Sequence, residues 1–397
     1  MLPKGFFFDA VQAGIKYKNK FDLGLFHSDT DCVCSAMFTA NRIKAAPIIV
    51  SNRHLHKTGR IRAIISNSGC ANACTGRQGI KDARQMCKLA ADKLNVLPEQ
   101  VLVASTGVIG TYLPMQKIKT GVSRMDSKST DFINAVNSIM TTATAVKIES
   151  KQIRISGKTV TILGCTKGAG MIKPNLVKLS HATMLCYIFT DCAINSQMLD
   201  KILLPAVNNS FNLISVDGDM STNDTVFLTA NGKAGNKIIN KSGKGFNMFN
   251  NAVTEVCLNL AKKMVQDGEG ATKFVQIEVV NTDTAESAKK IAVAIANSAL
   301  VKTAIFGGDP NWGRIMGALG TVDNVKYNPG RIDVYLNRIC VCKNSQSVRY
   351  NEPTAIKLMQ NRDISIKIDM HAGNKSVKYF TSDLSLDYVK INSHYRT

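Results

Sequence analysis

Short stretches in which apolar and polar residues alternate recur along the chain, and a period of two marks strands with one buried face. They predict strands at Ala63-Ile64-Ile65-Ser66, Thr159-Val160-Thr161-Ile162-Leu163, Thr225-Val226-Phe227-Leu228-Thr229, Phe274-Val275-Gln276-Ile277-Glu278-Val279 and Ile364-Ser365-Ile366-Lys367-Ile368. Between them the apolar spacing changes to three and four. Ile80, Ala83, Cys87, Ala90, Ala91 and Leu94 share one face of a helix that closes near Asn95. Phe132, Ala135, Val136 and Ile139 do the same behind Thr130-Asp131, a pair suited to capping. Residues 248–266 predict a third helix, stopped by Asp267-Gly268, and the Gly/Asn/Lys-rich region 231–245 a hairpin or surface excursion. Helices and strands in both halves imply layered α and β structure. Periodicity leaves their packing order open.

At 397 residues, 45% hydrophobic and 20% charged, the chain has room for one large domain or two. Phe6-Phe7-Phe8 is soon followed by Asp9, and no apolar run approaches the roughly 18 residues of a membrane helix. The start Met1-Leu2-Pro3-Lys4-Gly5 lacks a secretory apolar core, so the cytoplasm is expected, with no membrane partner. Eleven cysteines, an odd number set mostly beside apolar residues, read as reduced core thiols. Cys32/Cys34 and Cys340/Cys342 have the spacing of one strand face, and Cys70/Cys74 that of one helix face, but no histidines accompany them, so no metal is expected. The formal charge of +21 raises a nucleic-acid reading. Its dispersal, without aromatic-studded RNA-binding signatures, favours a basic enzyme with anionic substrates.

Two readings are open at Gly164-Cys165-Thr166-Lys167-Gly168-Ala169-Gly170-Met171-Ile172-Lys173-Pro174, followed by His181-Ala182-Thr183-Met184-Leu185. In one, a glycine turn leads into a buried helix from His181 to Cys192, capped by Thr183. In the other, the Ala182–Thr183 bond breaks. The freed α-amine, with a pKa of roughly 8, then serves as the base that activates the Thr183 hydroxyl.

Five further segments are too rich in glycine and polar residues to be ordinary core: Asn67 to Gly76, Ser105-Thr106-Gly107-Val108-Ile109-Gly110, Asp217 to Asp224, Asp267-Gly268-Glu269-Gly270-Ala271-Thr272-Lys273, and Gly308-Asp309-Pro310-Asn311-Trp312-Gly313-Arg314. With the Thr183 segment they resemble, in order and over essentially the whole chain, the glutamate N-acetyltransferase family, also called ornithine acetyltransferase, of arginine biosynthesis. The resemblance implies an α+β fold, a layered αββα sandwich related to the N-terminal-nucleophile type. It implies self-cleavage between Ala182 and Thr183 into an α chain, 1–182, and a β chain, 183–397, that stay together as α2β2.

By the same resemblance Thr183 is the nucleophile, taking acetyl from N2-acetyl-ornithine and passing it to glutamate in ping-pong fashion. Thr106 and Gly107 form the oxyanion hole. Thr141, Lys167, Thr183, Glu269, Asn392 and Thr397 contact substrate. Taken alone, Lys167 reads as a surface lysine in a glycine turn, and Glu269 as a solvated cap. The Trp312 segment reads as a Pro-containing turn ahead of a helix, with a structural role. No cofactor is implied, although some members accept acetyl-CoA as co-substrate. A β-aminopeptidase relative would share the self-made nucleophile, but the segments at 105–110 and 267–273 resemble the acetyltransferases. Three departures stand out: Ala143 replaces a usual aspartate, Cys70 a usual asparagine, and Leu176 to His181 make the approach to Ala182 about five residues longer, within what loops tolerate. An uncleaved or inactive homologue and a basic RNA-binding protein are the alternatives.

Overall fold

The computed structural model describes residues 1–177, 180–181 and 184–394. They form two compact units. One comprises Met1–Gly168, Pro174–Asn212 and Met220–Met264, the other Ala169–Lys173, Leu213–Asp219 and the chain from Val265 onward. The strands of the first are β1 (Phe6–Val11), β2 (Leu23–Ala40), β3 (Ile61–Asn67), β4 (Val101–Ser105), β5 (Lys147–Ile155), β6 (Lys158–Lys167), β7 (Leu176–Val177), β8 (Ser180–His181) and β9 (Leu185–Thr190). After β10 (Ile214–Ser215), which belongs to the second unit, comes β11 (Thr225–Ala230). The helices are α1 (Ala46–Thr58), α2 (Gly76–Leu94), α3 (Met115–Arg124), α4 (Phe132–Asn137), α5 (Ser196–Asn208) and α6 (Lys244–Gln266).

The strand order is β4-β3-β2-β11-β9-β6-β5, with β1, β7 and β8 also bonded to β2. β2 is 18 residues long and carries the fold's main bend. Its register against β3 shifts between His27 and Cys32; β1 lies along its first half and β11 along its second. An irregularity of this kind increases twist and turns a strand out of one layer into another. The two halves of the sheet accordingly face each other. Phe26 of β2 stacks on Phe189 of β9 with centroids 5.8 Å apart, and the hydroxyls of Ser66 and Tyr187 lie 2.7 Å apart, although these strands are not neighbours in the sheet. Phe6, Phe8, Phe38 and Phe227 complete this aromatic filling. Rings suit it because each buries a large apolar area and tolerates edge-to-face contact.

The alternate residues, Leu23, Leu25, Ala63 and Ile65, point the other way, onto Ala83 and Met86 of α2 and Val122 of α3. On the outer face of the second half-sheet, α6 lies so close that a Cβ on Gly164 would be 2.8 Å from Leu260 and 3.0 Å from Val256. The first unit is therefore a helix–sheet–sheet–helix sandwich, in accord with the αββα expectation.

The second unit has one sheet, β10-β17-β12-β16-β13-β14-β15, built from β10 with β12 (Phe274–Thr282), β13 (Asp333–Leu336), β14 (Ile339–Lys343), β15 (Gln346–Ser347), β16 (Asp363–Asp369) and β17 (Lys375–Ser382). Parallel pairing of β12 with β16 and antiparallel pairing with β17 make the fold α+β. Val275, Ile277, Val279, Ile364, Ile366 and Ile368 supply one face to Ile291 and Ile295 of α7 (Ala285–Asn297). Four shorter helices follow: α8 (Ala299–Gly307), α9 (Trp312–Leu319), α10 (Glu352–Met359) and α11 (Leu386–Ser393).

All five expected strands and all three expected helices are present, with Asn95 in the left-handed conformation closing α2 and Asp131 capping α4. Residues 231–243 form an irregular excursion tied back where Ile239 bridges to Ile194, not a hairpin. Two expectations fail. The helix from His181 to Cys192 is replaced by strand β9, every residue of which is buried. A strand covered on both faces shows no alternation and reads like a helix core. Cys70 and Cys74 share no helix face, because Cys70 bridges to Thr106 and Val108 and both cysteines precede α2.

Candidate active site

Thr106 follows directly on β4, and its N–H donates to the Asn67 carbonyl at 3.0 Å. The parallel partner β3 thereby fixes where the strand ends. Ser105 Oγ donates to Asn67 Oδ1 at 2.6 Å, and Asn67 Nδ2 donates to the Cys70 carbonyl at 2.9 Å, so one buried amide holds both loops. A second buried asparagine, Asn223, donates to the carbonyls of Ala71 at 2.6 Å and Ser105 at 2.9 Å. Sequence reasoning noticed the segment around Asn223 but gave this residue no role; an amide inside a polar, glycine-containing run was its only signal.

Gly107 has φ +130°, and a Cβ there would lie 2.3 Å from the Gly69 carbonyl carbon. Only glycine lets these two loops touch. Among the described residues the Gly107 N–H meets no acceptor. Lys167, at the end of β6, is buried, and its Nζ donates to Thr106 Oγ1 at 2.5 Å. It is thus no surface lysine. Because an ammonium only donates, it occupies a lone pair of the Thr106 hydroxyl and leaves the hydroxyl hydrogen to be donated elsewhere. The result is two donors, Thr106 O–H and Gly107 N–H, on one rigid loop.

Lys167 stands opposite Leu185 in the β6–β9 register, two residues past Thr183 in the chain. Ala182, Thr183 and Thr397 lie outside the described residues. Thr141 is half-buried after α4, its carbonyl accepting from Lys20 Nζ at 3.0 Å; among the described residues no hydrogen bond joins it to the Thr106–Lys167 pair.

In the second unit Glu269 is buried, not a solvated cap, and its Oε2 accepts from Asn392 Nδ2 at 2.9 Å. Room for this carboxylate comes from Gly170, where a Cβ would overlap it at 2.2 Å. Gly270, with φ +66°, lets the next peptide lie against Tyr388 at the start of α11. Ser385 caps that helix and also donates to the Gly270 carbonyl at 2.6 Å. Asp217, whose carboxyl burial raises, accepts from the N–H groups of Met171 at 2.5 Å and Ile172 at 2.9 Å. Burial and then the nearby Asp217, Glu269 and Asp219 raise the Tyr388 phenol, so it stays protonated. Asn311 caps α9 behind Pro310, as expected for the Trp312 segment.

Burial raises the thiols of Cys32, Cys192 and Cys257 to about 12, which keeps them un-ionised and poor as nucleophiles or ligands. Among the described residues no three His, Cys, Asp or Glu side chains are placed to hold a metal.

The ArgJ family profile matches residues 7–397. The chain belongs to the ArgJ family. The arginine biosynthesis bifunctional protein ArgJ of Thermotoga neapolitana is 45% identical over 402 residues, covering all of both chains. That of Caldanaerobacter subterraneus subsp. tengcongensis is 44% identical, covering all of this chain and 98% of its own. Among solved structures, the ArgJ protein of Bacillus halodurans is 37% identical with a TM-score of 0.50, covering 52% of this chain and 97% of that one. ArgJ-family membership agrees with the resemblance read from the loops.

Proposed function

We propose that this ArgJ-family chain moves an acetyl group from N2-acetyl-ornithine to glutamate through an acetyl ester on Thr183. The Thr183 hydroxyl first attacks the Ala182 carbonyl, converting amide to ester, and water releases residue 182. The new α-amine then takes the hydroxyl proton as Thr183 Oγ attacks the acetyl carbonyl. The oxyanion is received by Thr106 O–H and Gly107 N–H. It collapses as the C–N bond breaks, and the departing ornithine nitrogen collects the proton. Glutamate's amine repeats the sequence in reverse and regenerates Thr183. The observation that carries this reading is the Gly107 N–H, which meets no acceptor among the described residues, beside a Thr106 hydroxyl that accepts from Lys167 and so keeps its hydrogen for donation. Glu269 and Asn392 offer an ammonium- and carboxylate-reading pair for the amino-acid ends.

Topology supports a cleaved yet undivided protein. β9, from the 183–397 piece, is bonded to β6 of the 1–182 piece, and β11 is bonded to β2. Cleavage thus leaves interleaved strands, and α2β2 is the assembly we expect. We place the reaction in the cytoplasm, where eleven unpaired cysteines stay reduced. No described helix alone is long and apolar enough to cross a membrane. Acetyl-CoA serves as a second acetyl donor if the name "bifunctional" carried by the relatives applies here.

Intact mass of the purified chain beside Thr183→Ala tests the core of this reading. Masses of 1–182 and 183–397 are expected in the wild type and a single mass in the variant. A single full-length mass in both, with transfer activity retained, would refute the self-freed nucleophile.

A further inference from the structure

Part of the basic charge that looks dispersed in sequence, five of the 50 lysines and arginines, is gathered at one place in the first unit. α1 and α2 flank a cleft of about 630 Å³ whose walls include Arg53, Lys57, Lys81, Arg84 and Lys88. Positions 53 and 57 are one turn apart on α1, and 81, 84 and 88 follow the three-and-four spacing of one α2 face. Five cations therefore point into the same space. Glu99 is the only acid on the lining, and it already pairs with Lys57 at 2.6 Å. Lys88 leans toward Asp92 at 3.6 Å, whereas Arg53, Lys81 and Arg84 form no ion pair among the described residues. The floor is firm: Val50 is buried, and the buried His54 ring is held by the Val101 carbonyl at 2.8 Å.

We propose that this cleft binds a small anion carrying contiguous phosphates, at a site separate from Thr106 and Lys167. Like charges crowded on two helix faces repel one another until a polyanion neutralises them. Two arginines offer planar, bidentate donors, and lysines add point charges, the combination suited to neighbouring phosphoryl groups. The volume matches a nucleotide-sized ligand. No Phe, Tyr or Trp lines the cleft, and its one ring, His54, is buried in the floor, so the stacking platforms of single-stranded nucleic-acid binders are missing from it. Inorganic polyphosphate and the phosphate tail of a nucleotide share the required chemistry.

The test uses the full purified chain, titrated calorimetrically with inorganic tripolyphosphate, ATP and orthophosphate. Its variants are Arg53→Ala/Lys81→Ala/Arg84→Ala and an equally charged control, Lys237→Ala/Lys241→Ala/Lys244→Ala, all exposed positions. One tripolyphosphate per chain is expected. Affinity should weaken as salt rises, fall on the order of tenfold or more in the cleft variant, and stay within about twofold in the control. Tripolyphosphate should also raise the Tm of the wild type and not of the cleft variant. ATP binding at least as tight identifies a nucleotide as the source, and weaker binding identifies free polyphosphate. Acetyl transfer should be unchanged in the cleft variant, which also certifies its fold. Non-saturating binding, equal losses in both variants, or RNA binding that tripolyphosphate fails to compete would each overturn the proposal.

Discussion

Replacing Gly107 with alanine strikes the proposed oxyanion loop where the structure leaves it least room. The new Cβ would stand 2.3 Å from the Gly69 carbonyl carbon and 2.6 Å from the Cys70 nitrogen, both backbone atoms. A side-chain end could swing aside; a peptide cannot. Ordinary contact begins at 3.4 Å, so the loops must part by about 1 Å, a displacement that costs about 10²-fold where reacting groups are positioned. The φ of +130° adds strain that a non-glycine residue resists. Together these should remove about 2 to 4 kcal/mol of folding stability. Loss of one oxyanion donor should lower kcat by about 10²- to 10³-fold, about 3 to 4 kcal/mol of barrier. KM should change little, since the donor acts on the transition state. The assay is transfer from N2-acetyl-ornithine to glutamate, normalised to the acetyl-enzyme burst so that unprocessed chain is not counted, with denaturant unfolding in parallel. Thr106→Val, which leaves the backbone intact, separates the two effects and should lower kcat with little loss of stability. A Gly107→Ala variant that is destabilised yet retains kcat within about threefold would show that the loop is structural and that its N–H is no donor.

Two further outcomes test the second unit. Asn392→Ala removes the donor to Glu269 and should raise KM for the amino-acid substrates by about tenfold, the worth of one charged hydrogen bond, with kcat nearly unchanged; an equal fall in kcat and kcat/KM would mean that the pair acts only in the transition state. Lys302 is buried against Thr381 Oγ1 at 3.2 Å and the Ser382 carbonyl, and burial lowers its ammonium to about 8. The unfolded chain, with an ordinary lysine near 10.5, therefore binds more protons between these values, so this group makes stability rise with pH from about 8 to about 10.5, by about 3 kcal/mol at most. Lys302→Met should remove that rise, measured as the wild-type minus variant difference in urea unfolding, in which the buried thiols titrating the opposite way cancel. A difference independent of pH would refute the assignment.

Elements with one wet face were legible from sequence, and so was β11, fully buried but with threonines bracketing its apolar run. β12 and β16 alternate because only one side of the second sheet meets α7, and α2 shows its stripe because the opposite side is solvated. β9 was illegible because it has no exposed residue and its run Leu185-Cys186-Tyr187-Ile188-Phe189 carries no polar interruption to mark a period of two. The folding-back of the first sheet was equally hidden, because it depends on Phe26 meeting Phe189 across strands that are not sheet neighbours. For the site, the residue types at 106, 107, 167, 269 and 392 carried meaning only through the family resemblance. The structure supplies the physical reasons: Gly107 for a loop-to-loop approach, Lys167 for an inward-pointing strand end, and Gly170 for a buried carboxylate.

The longer approach to Ala182 is where resemblance and structure correct each other. In sequence the extra residues read as a loop insertion within what loops tolerate, with nothing to fix the alignment of the bond to be broken. In the structure Leu176–Val177 pair antiparallel with Thr39 and Phe38, Ser180–His181 pair parallel with Thr39 and Ala40, and Asn212 brackets Leu176 with two side-chain hydrogen bonds of 2.6 and 2.8 Å. On the other side, Met184 accepts from the Thr225 N–H at 2.6 Å, and Leu185 lies opposite both Lys167 and Thr225. Residues 176, 177, 180 and 181 of the added stretch are bonded along β2, and the chain is bonded to the same sheet at His181, before Ala182, and at Met184, after Thr183. Alignment of a scissile bond depends on how its flanks are held, not on the length of the loop that leads to it. The insertion is therefore compatible with self-cleavage, and the sheet that holds the flanks also sets Lys167, the donor to Thr106, opposite Leu185.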